Sequence, residues 1–365
     1  MKLNDPSRLL ADLPPGSKIL IVRLRSLGDL VLETPVIAAL HDWRPDLQIS
    51  ILAEPRFAAV FEGNPAVSDL ILSRGFLETV RELRRHRFPV AFNQHGGPRS
   101  ALLIAASGAR TRVGWKGFQF SSFYNVQVPD AKEFYGTPVV HAVEHRISQF
   151  YSTGLPRGPI PRARVFPQPD AVASVARALA QKGIAAGSSY AVLQPGARLA
   201  RMRWPAAKFA ELARWLRSER GISSVVNLAG ADAEVAADVR REMRDAAVIL
   251  EALSLRELIA LIAGAKLFVG NDSGPVHLAA ASACPAMVIY GPTNPAQWHP
   301  WQSEYRAIHT GATFNPQRGD NSMAESEPRG IDSITFQEVS RACEALLTAP
   351  AGPKPVGLKP TAANN

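Results

Sequence analysis

Apolar and polar positions alternate along this chain in a pattern that runs once, pauses, and runs again. Lys18 to Leu24 (KILIVRL) is a nearly continuous apolar run, as a strand buried on both faces requires, and Arg25-Ser26-Leu27-Gly28-Asp29 breaks it. Helical spacing resumes at Val36, Ile37, Leu40 and Trp43. That helix either opens at Thr34-Pro35, as cap and first position, or opens at Asp29 and tolerates Pro35. The pattern then predicts a strand at Gln48 to Ala53, a helix at Pro55 to Phe61, a short strand near Leu70 and a helix at Phe76 to His86. A strand at Val90 to Asn93 and a helix at Ser100 to Ala106 follow.

Gly154 to Pro169 (GLPRGPIPRARVFPQP) is rich in Pro and Arg and lacks apolar periodicity, so it reads as an interdomain connection. Strand and helix signals then restart. Strands are expected at Tyr190 to Leu193 and Ser224 to Leu228, and helices at Pro205 to Arg217, Ala233 to Met243 and Leu255 to Ile262. A last helix, Thr335 to Leu347, precedes a Pro- and Gly-containing tail expected to be disordered. Strands alternating with helices imply parallel sheets with right-handed crossovers. The fold class is therefore α/β, with two Rossmann-like domains facing each other across a crevice. The expected domains are 1–165 and 166–348, with 349–365 as the tail.

The stretch with the most chemistry is Lys266 to Gly291 (KLFVGNDSGPVHLAAASACPAMVIYG). An apolar run, Leu267 to Val269, meets the polar break Gly270-Asn271-Asp272-Ser273-Gly274. A small-residue helix, Pro275 to Ala283, and a second apolar run, Met287 to Tyr290, come next. Ser273 suits an N-cap, Pro275 the first turn, and Gly274 a close approach of backbone to ligand, so free N–H groups and the positive end of the helix face the loop mouth. Such a helix start suits a phosphate. His277 sits one turn in as a further donor, and Asp272 at the strand end is placed to accept from a sugar hydroxyl. The plain alternative is a capped crossover helix.

Composition narrows the class. The chain has 365 residues and 46% hydrophobic content, enough for two ordinary cores. Its two cysteines, Cys284 and Cys343, show no metal-like spacing and point to a reducing compartment. The start, MKLNDPSRLLADLPPG, has no signal-peptide core, and no apolar run approaches the roughly 18 residues of a spanning helix, so a cytoplasmic location is expected. The net charge of +9 favours a polyanionic partner: nucleic acid, anionic lipid or phosphorylated substrate. No stacking motif or nucleic-acid module is evident, so nucleic acid is not expected as a partner.

Three segments, RLRSLGDLVLETPVIAAL, GNDSGPVHLAAA and YGPTNPAQWHP, together with QPGARLARMRWPAAKFAEL and LAGADAE, resemble the lipopolysaccharide heptosyltransferases of glycosyltransferase family nine. The resemblance runs from about Lys18 to Trp301 and implies the two-domain GT-B fold, with 1–165 as the acceptor side and 166–348 as the nucleotide side. It also implies an inverting transfer of heptose, usually from ADP-heptose, to the inner core on lipid A. The family's aspartate after glycine, taken as general base, falls on Asp29. Its donor-phosphate loop falls on Asp272, Ser273, Gly274 and His277, and Gln194-Pro195-Gly196 matches its other phosphate-side loop. The ribose-binding acid falls on Asp232 and the adenine-facing apolar residue on Leu253. One position departs: relatives commonly carry lysine two residues before the tryptophan of Arg201-Met202-Arg203-Trp204, where this chain has Met202. A thioether cannot neutralise a leaving diphosphate, so Arg201 or Arg203 is expected to reach in. Gly28, His95 and Arg99, at strand ends of the first domain, are the expected acceptor contacts. The scheme needs no metal or other cofactor, and no Asp-x-Asp motif is present.

Other signals weigh less. His141-Ala142-Val143-Glu144-His145 matches H-x-x-E-H, but a zinc site needs a further ligand, and a helix near the linker with one histidine facing the crevice is the plainer account. Arg81, Arg84, Arg85 and Arg87 form either a solvated face or a contact with anionic lipid of the inner membrane. Ser273, His277 and Asp272 have the residue types of a hydrolase triad without its spacing, and the first strand lacks the G-x-G-x-x-G of a nicotinamide enzyme. The competing function from another class is a noncatalytic sugar-nucleotide or glycolipid binding protein, motivated by Met202.

Overall fold

The computed structural model describes residues 5–118, 120–230, 232–315 and 323–349. Of the expected tail, all beyond Ala349 lies outside the described residues. The chain divides between Phe166 and Pro167 into two compact units. Leu155 to Gln168 holds neither helix nor strand.

The first unit is built on six parallel strands: β1 (Lys18–Val22), β2 (Gln48–Ala53), β3 (Asp69–Leu72), β4 (Val90–Asn93), β5 (Thr111–Trp115) and β6 (Val126–Val128). The second is built on β7 (Tyr190–Gln194), β8 (Ser223–Asn227), β9 (Val248–Leu250), β10 (Leu267–Asn271), β11 (Ala286–Tyr290) and β12 (Tyr305–His309). The sheet orders are β3-β2-β1-β4-β5-β6 and β12-β11-β10-β7-β8-β9. Counted from the first strand of each unit, both read as the doubly wound order in which chain direction across the sheet reverses between strands one and four. These switch points lie at β1/β4 and β7/β10, where Val22 pairs with Asn93 and Gly270 with Gln194. Ligands of open α/β sheets bind at the carboxyl ends of the strands flanking that point, so the topology alone marks one mouth in each unit.

The helices are α1 (Leu27–Val31), α2 (Thr34–Trp43), α3 (Phe76–His86), α4 (Pro98–Ala106), α5 (Ala131–Tyr135), α6 (Ala142–Tyr151), α7 (Pro169–Gln181), α8 (Ala206–Arg220), α9 (Ala233–Met243), α10 (Leu255–Ala263), α11 (Gly274–Ala281), α12 (Pro295–Trp298) and α13 (Phe336–Thr348). Helices cover both faces of each sheet, so β1, β10 and β11 are apolar through nearly their whole length. Leu20, Val22, Leu52, Ala91 and Leu103 share one core in the first unit, and Leu193, Phe209, Leu216, Val269 and Ile289 one in the second.

Several elements differ from the sequence pattern. Of the two openings proposed after β1, the one at Thr34 holds: α2 begins there with Pro35 in its first turn, while Asp29 opens no helix through Pro35 but sits inside a separate single turn, α1, that starts at Leu27. Pro55–Val60 is a 3-10 helix, not an α-helix. The strand before the phosphate-type loop extends two residues further, through the fully buried Asn271. β5, β6, β9, β12, α5 and α7 carried weak patterns. β6 and β9 span three residues each, and α7 buries only Ala171, Val175 and Leu179 among its alanines.

Candidate active site

In the first unit, β1 ends by turning Arg23 toward the switch point, and α1 carries Asp29 back to it. Ser26 caps α1, and the Asp29 side chain returns the bond: its Oδ2 accepts from the Ser26 backbone N–H at 3.1 Å and hydroxyl at 2.8 Å. Its Oδ1 is gripped by two guanidiniums. Arg146 Nη2 donates to it at 2.5 Å, and Arg23 Nη2 forms an ion pair with the same oxygen. Arg23 Nη1 also donates to the Gln94 carbonyl at the end of β4. Burial by itself would raise the Asp29 carboxyl, but the two arginines and Ser26 outweigh it and hold the group well below the usual carboxylate range. Asp29 is thus ionised at any physiological pH, and both of its oxygens are engaged.

Sequence reasoning singled out Asp29 and Gly28 but not Arg23 and Arg146, which hold Asp29, or Glu33, which faces Arg146. Arg146 is only 4% exposed, on the inner face of α6, and Glu33 at the head of α2 is fully buried. The signal lay in charged residues at otherwise buried positions: Arg23 inside KILIVRL, Glu33 inside LVLETPVI and Arg146 inside VEHRISQF. Arg146 Nε lies 3.6 Å from Glu33 Oε2. Burial pushes Glu33 up to about 7 against the pull of Arg146 and Arg23, with Asp29 adding to the rise, while burial and Arg23 push Arg146 down to about 10. Arg146 stays charged, and Glu33 titrates near neutrality.

The expected acceptor contacts separate. His95 stays at the mouth: its backbone N–H donates to Asn93 Oδ1 at 3.0 Å, and burial and then Arg23 push its imidazole down to about 4, so it is neutral. Arg99 turns elsewhere, donating to Ser73 Oγ at 3.2 Å and the Arg74 carbonyl at 2.8 Å. The H-x-x-E-H segment is a helix start: His141 Nδ1 accepts from Val143 N, and Glu144 accepts from His141 N. Among the described residues no group of three His, Cys, Asp or Glu side chains is arranged to hold a metal ion. The basic run of α3 is partly engaged, with Arg84 on the Ala106 carbonyl and Arg85 on Glu82.

In the second unit, Asn271 at the end of β10 organises the mouth. Its Nδ2 donates to the Pro195 carbonyl at 2.6 Å and its Oδ1 accepts from Trp204 N at 2.9 Å, tying the loop after β7 to the loop before α8. Gly270 permits the approach of the strands, since a Cβ there would stand 2.8 Å from Gln194 Cβ and 2.9 Å from the Phe268 ring. The helix start follows. Ser273 occupies the N-cap position of α11, but its hydroxyl turns back to the Asn271 carbonyl at 3.1 Å and makes no side-chain cap. Pro275 has no N–H and the Val276 N–H donates to the Ser273 carbonyl at 3.1 Å, so at the start of α11 it is the Gly274 N–H that faces the loop without a side-chain cap. Asp272 and His277 are both buried, and burial raises Asp272 to about 6.

Met202 lies buried in a short 3-10 helix, Ala200–Met202. The flanking arginines differ. Arg203 is held by Asp232 at 2.6 Å, by Glu234 at 3.5 Å and by the Ala197 carbonyl. Arg201 has a 56% exposed side chain and, among the described residues, a looser ion pair, 3.8 Å to Glu327. Leu253 is half-buried just before the Ser254 cap of α10. A cavity of about 190 Å³ beside these groups is lined by Pro195, Arg203, Trp204, Glu234 and Asp238 among others.

The model of glycosyltransferase family 9 (heptosyltransferase) matches residues 76–326. The chain belongs to that family. This family 9 glycosyltransferase is 28% identical to lipopolysaccharide heptosyltransferase 1 of Pseudomonas aeruginosa, the match covering 91% of this chain and 99% of that one. Its fold matches a family 9 glycosyl transferase from Veillonella parvula with a TM-score of 0.79 at 22% identity, covering 94% of this chain and 99% of that one. It also matches the Escherichia coli ADP-heptose lps heptosyltransferase II with a TM-score of 0.75 at 24% identity, covering 90% and 98%. Among the described residues, no helix of this glycosyltransferase is long and apolar enough to cross a membrane.

Proposed function

We propose that this glycosyltransferase moves heptose from ADP-heptose to the inner core of lipopolysaccharide, with inversion, using Asp29 as general base. The observation that carries the reading is the Asp29 carboxylate: ionised, partly exposed and fixed by Arg23, Arg146 and Ser26 at the switch point of the first unit. A base must be unprotonated and aimed before the acceptor arrives, and this one is both. The names of the P. aeruginosa and E. coli relatives, a lipopolysaccharide heptosyltransferase and an ADP-heptose enzyme, support the donor and acceptor classes.

In this reading the acceptor hydroxyl attacks the anomeric carbon from the face opposite the diphosphate, the C–O bond to phosphate breaks, and the hydroxyl proton passes to Asp29. The positive end of α11, with the Gly274 N–H, takes the departing diphosphate, together with Gln194, Pro195 and Gly196 around the end of β7. Asp232 takes the ribose and Leu253 faces the adenine. Of the two arginines beside Met202, Arg201 is the freer and supplies the cation that a thioether cannot. The scheme uses no metal and places the enzyme on the cytoplasmic side of the inner membrane, in peripheral contact with anionic lipid.

The test is transfer from ADP-heptose to a core acceptor, followed by mass spectrometry, in the native protein and Asp29→Ala, with ADP binding measured by calorimetry. Native transfer that falls about 10³-fold in the variant, with ADP binding intact, is expected. Transfer undiminished in Asp29→Ala removes Asp29 from the role, and preference for UDP or GDP over ADP removes the donor.

A further inference from the structure

We propose that Glu33 is a positioning residue for transfer: through Arg146 it decides how tightly Asp29 is held, and its proton sets the acid limb of the pH dependence. The inference rests on the reading of Asp29 as the base. Glu33 is fully buried, and among the described residues neither of its carboxylate oxygens meets a hydrogen-bond donor. An ordinary structural carboxylate in so apolar a place would be paired more closely or replaced, because burying it without donors is costly. What it does have is Arg146 Nε at 3.6 Å, and that nitrogen has no other acceptor among the described residues.

Arg146 is therefore shared. Its Nη2 holds Asp29, its Nη1 donates to the Ala142 carbonyl, and its Nε faces Glu33. The charged groups facing Glu33 are Arg146 from α6, Arg23 from the exit of β1 and Asp29 from α1. His95, between β4 and α4, senses Arg23, Asp29 and Arg25 and is neutral. With Glu33 protonated, two guanidiniums act on one carboxylate, and Asp29 is at its poorest as a proton acceptor. With Glu33 ionised, the second positive charge is compensated, Arg146 divides its attraction, and Asp29 becomes more basic. Because the burial of Glu33 places its titration near neutrality, the switch falls in the working range of a cell. Glu33 itself touches no reacting atom.

The experiment measures kcat/KM from about pH 5 to about pH 9 in the native enzyme, Glu33→Gln and Glu33→Asp, alongside carboxyl-carbon NMR titrations of the same proteins. The native kcat/KM is expected to rise about tenfold through neutrality. Glu33→Gln, locked in the neutral shape, is expected to lose that limb and to stay about tenfold below native activity above pH 8, with ADP affinity unchanged. Glu33→Asp is expected to restore a limb. In the NMR titration a glutamate signal near neutrality should vanish in Glu33→Gln, and the Asp29 signal should follow it in the native protein. A limb that survives Glu33→Gln, or an Asp29 signal indifferent to Glu33, overturns the inference and leaves the transferase reading intact. Coupled titrations in a protein that transfers no heptose overturn the heptose reading, while the coupling between Glu33 and Asp29 stands.

Discussion

The two units share one strand order and place their candidate residues at the same switch point, yet the two mouths are chemically opposite. At β1/β4 the inner groups are charged and spend their charges on one another: Arg23, Asp29, Glu33 and Arg146 form one cluster. At β7/β10 the inner groups are an amide, a glycine and an uncapped helix start, and the arginines stand at the rim. Topology supplies a mouth; the residues around it decide whether it is lined by paired charges or by neutral polar groups. The first mouth holds its charges fixed against one another, whereas the second presents a helix start with no side-chain cap.

That contrast can be broken experimentally, beginning where the effect should be greatest. Arg146→Met removes the shared partner of the fully buried Glu33 and the half-buried Asp29 and should cost about 3 kcal/mol or more in urea unfolding at pH 8. A loss below about 1 kcal/mol would mean that the cluster is not a unit and that the first mouth is no more preorganised than the second. In the second unit Asn271→Ala strands the Pro195 carbonyl and the Trp204 N–H. It should cost about 2 kcal/mol in the same assay and weaken ADP binding by moving both loops.

Asp272 sharpens the comparison through pH. Its carboxyl is raised by burial to about 6, the reverse of Asp29. A raised carboxyl binds its proton more tightly in the folded state, so its stabilising contribution is complete below the ordinary aspartate range and lost as pH rises through about 6. Asp272→Asn should therefore flatten the fall in thermal unfolding temperature between about pH 5 and about pH 7, by the equivalent of roughly 1–2 kcal/mol. An unchanged slope would show Asp272 solvated like a surface acid. The smallest effect belongs to Arg203→Ala, whose partners Asp232 and Glu234 are largely exposed. It should shift stability by less than about 1 kcal/mol, while Arg201→Ala lowers transfer more than Arg203→Ala does.

Much of this was legible in the sequence where one residue type did one thing. KILIVRL and the small-residue helix at Gly274–Ala281 reveal strand and helix because their burial is uniform along the element. The pairing of Gly28 with Asp29 marks the first mouth, although the two lie in α1 and not at the end of the strand where the sequence pattern put them, and the Asp272-Ser273-Gly274 break marks the second. What stayed hidden depends on distance in space. Arg146 meets Asp29 across 117 positions of chain, and the Asn271 bonds to Pro195 and Trp204 span 76 and 67 positions. Local patterns report which face of an element is buried, not which partner waits there. The same limit explains Ser273, whose residue type suits a cap but whose hydroxyl prefers the Asn271 carbonyl, and Arg99, whose guanidinium finds Ser73 and Arg74.

Each sheet is drawn from one uninterrupted stretch of chain, which bears on the timing of synthesis. Once residues up to Phe166 have left the ribosome, all six strands of the first sheet and α6, which carries Arg146, are available, so that unit can close while the rest is still being translated. The second unit has no such early completion. Val339, Cys343 and Leu346 of α13 fill the core shared by β7, β10 and β11, so its sheet must wait, with apolar surface uncovered, until that helix emerges. A ribosome stalled between β12 and α13 would therefore carry a finished first unit and an unfinished second one. Of the two, the later one is where a chaperone would find something to hold.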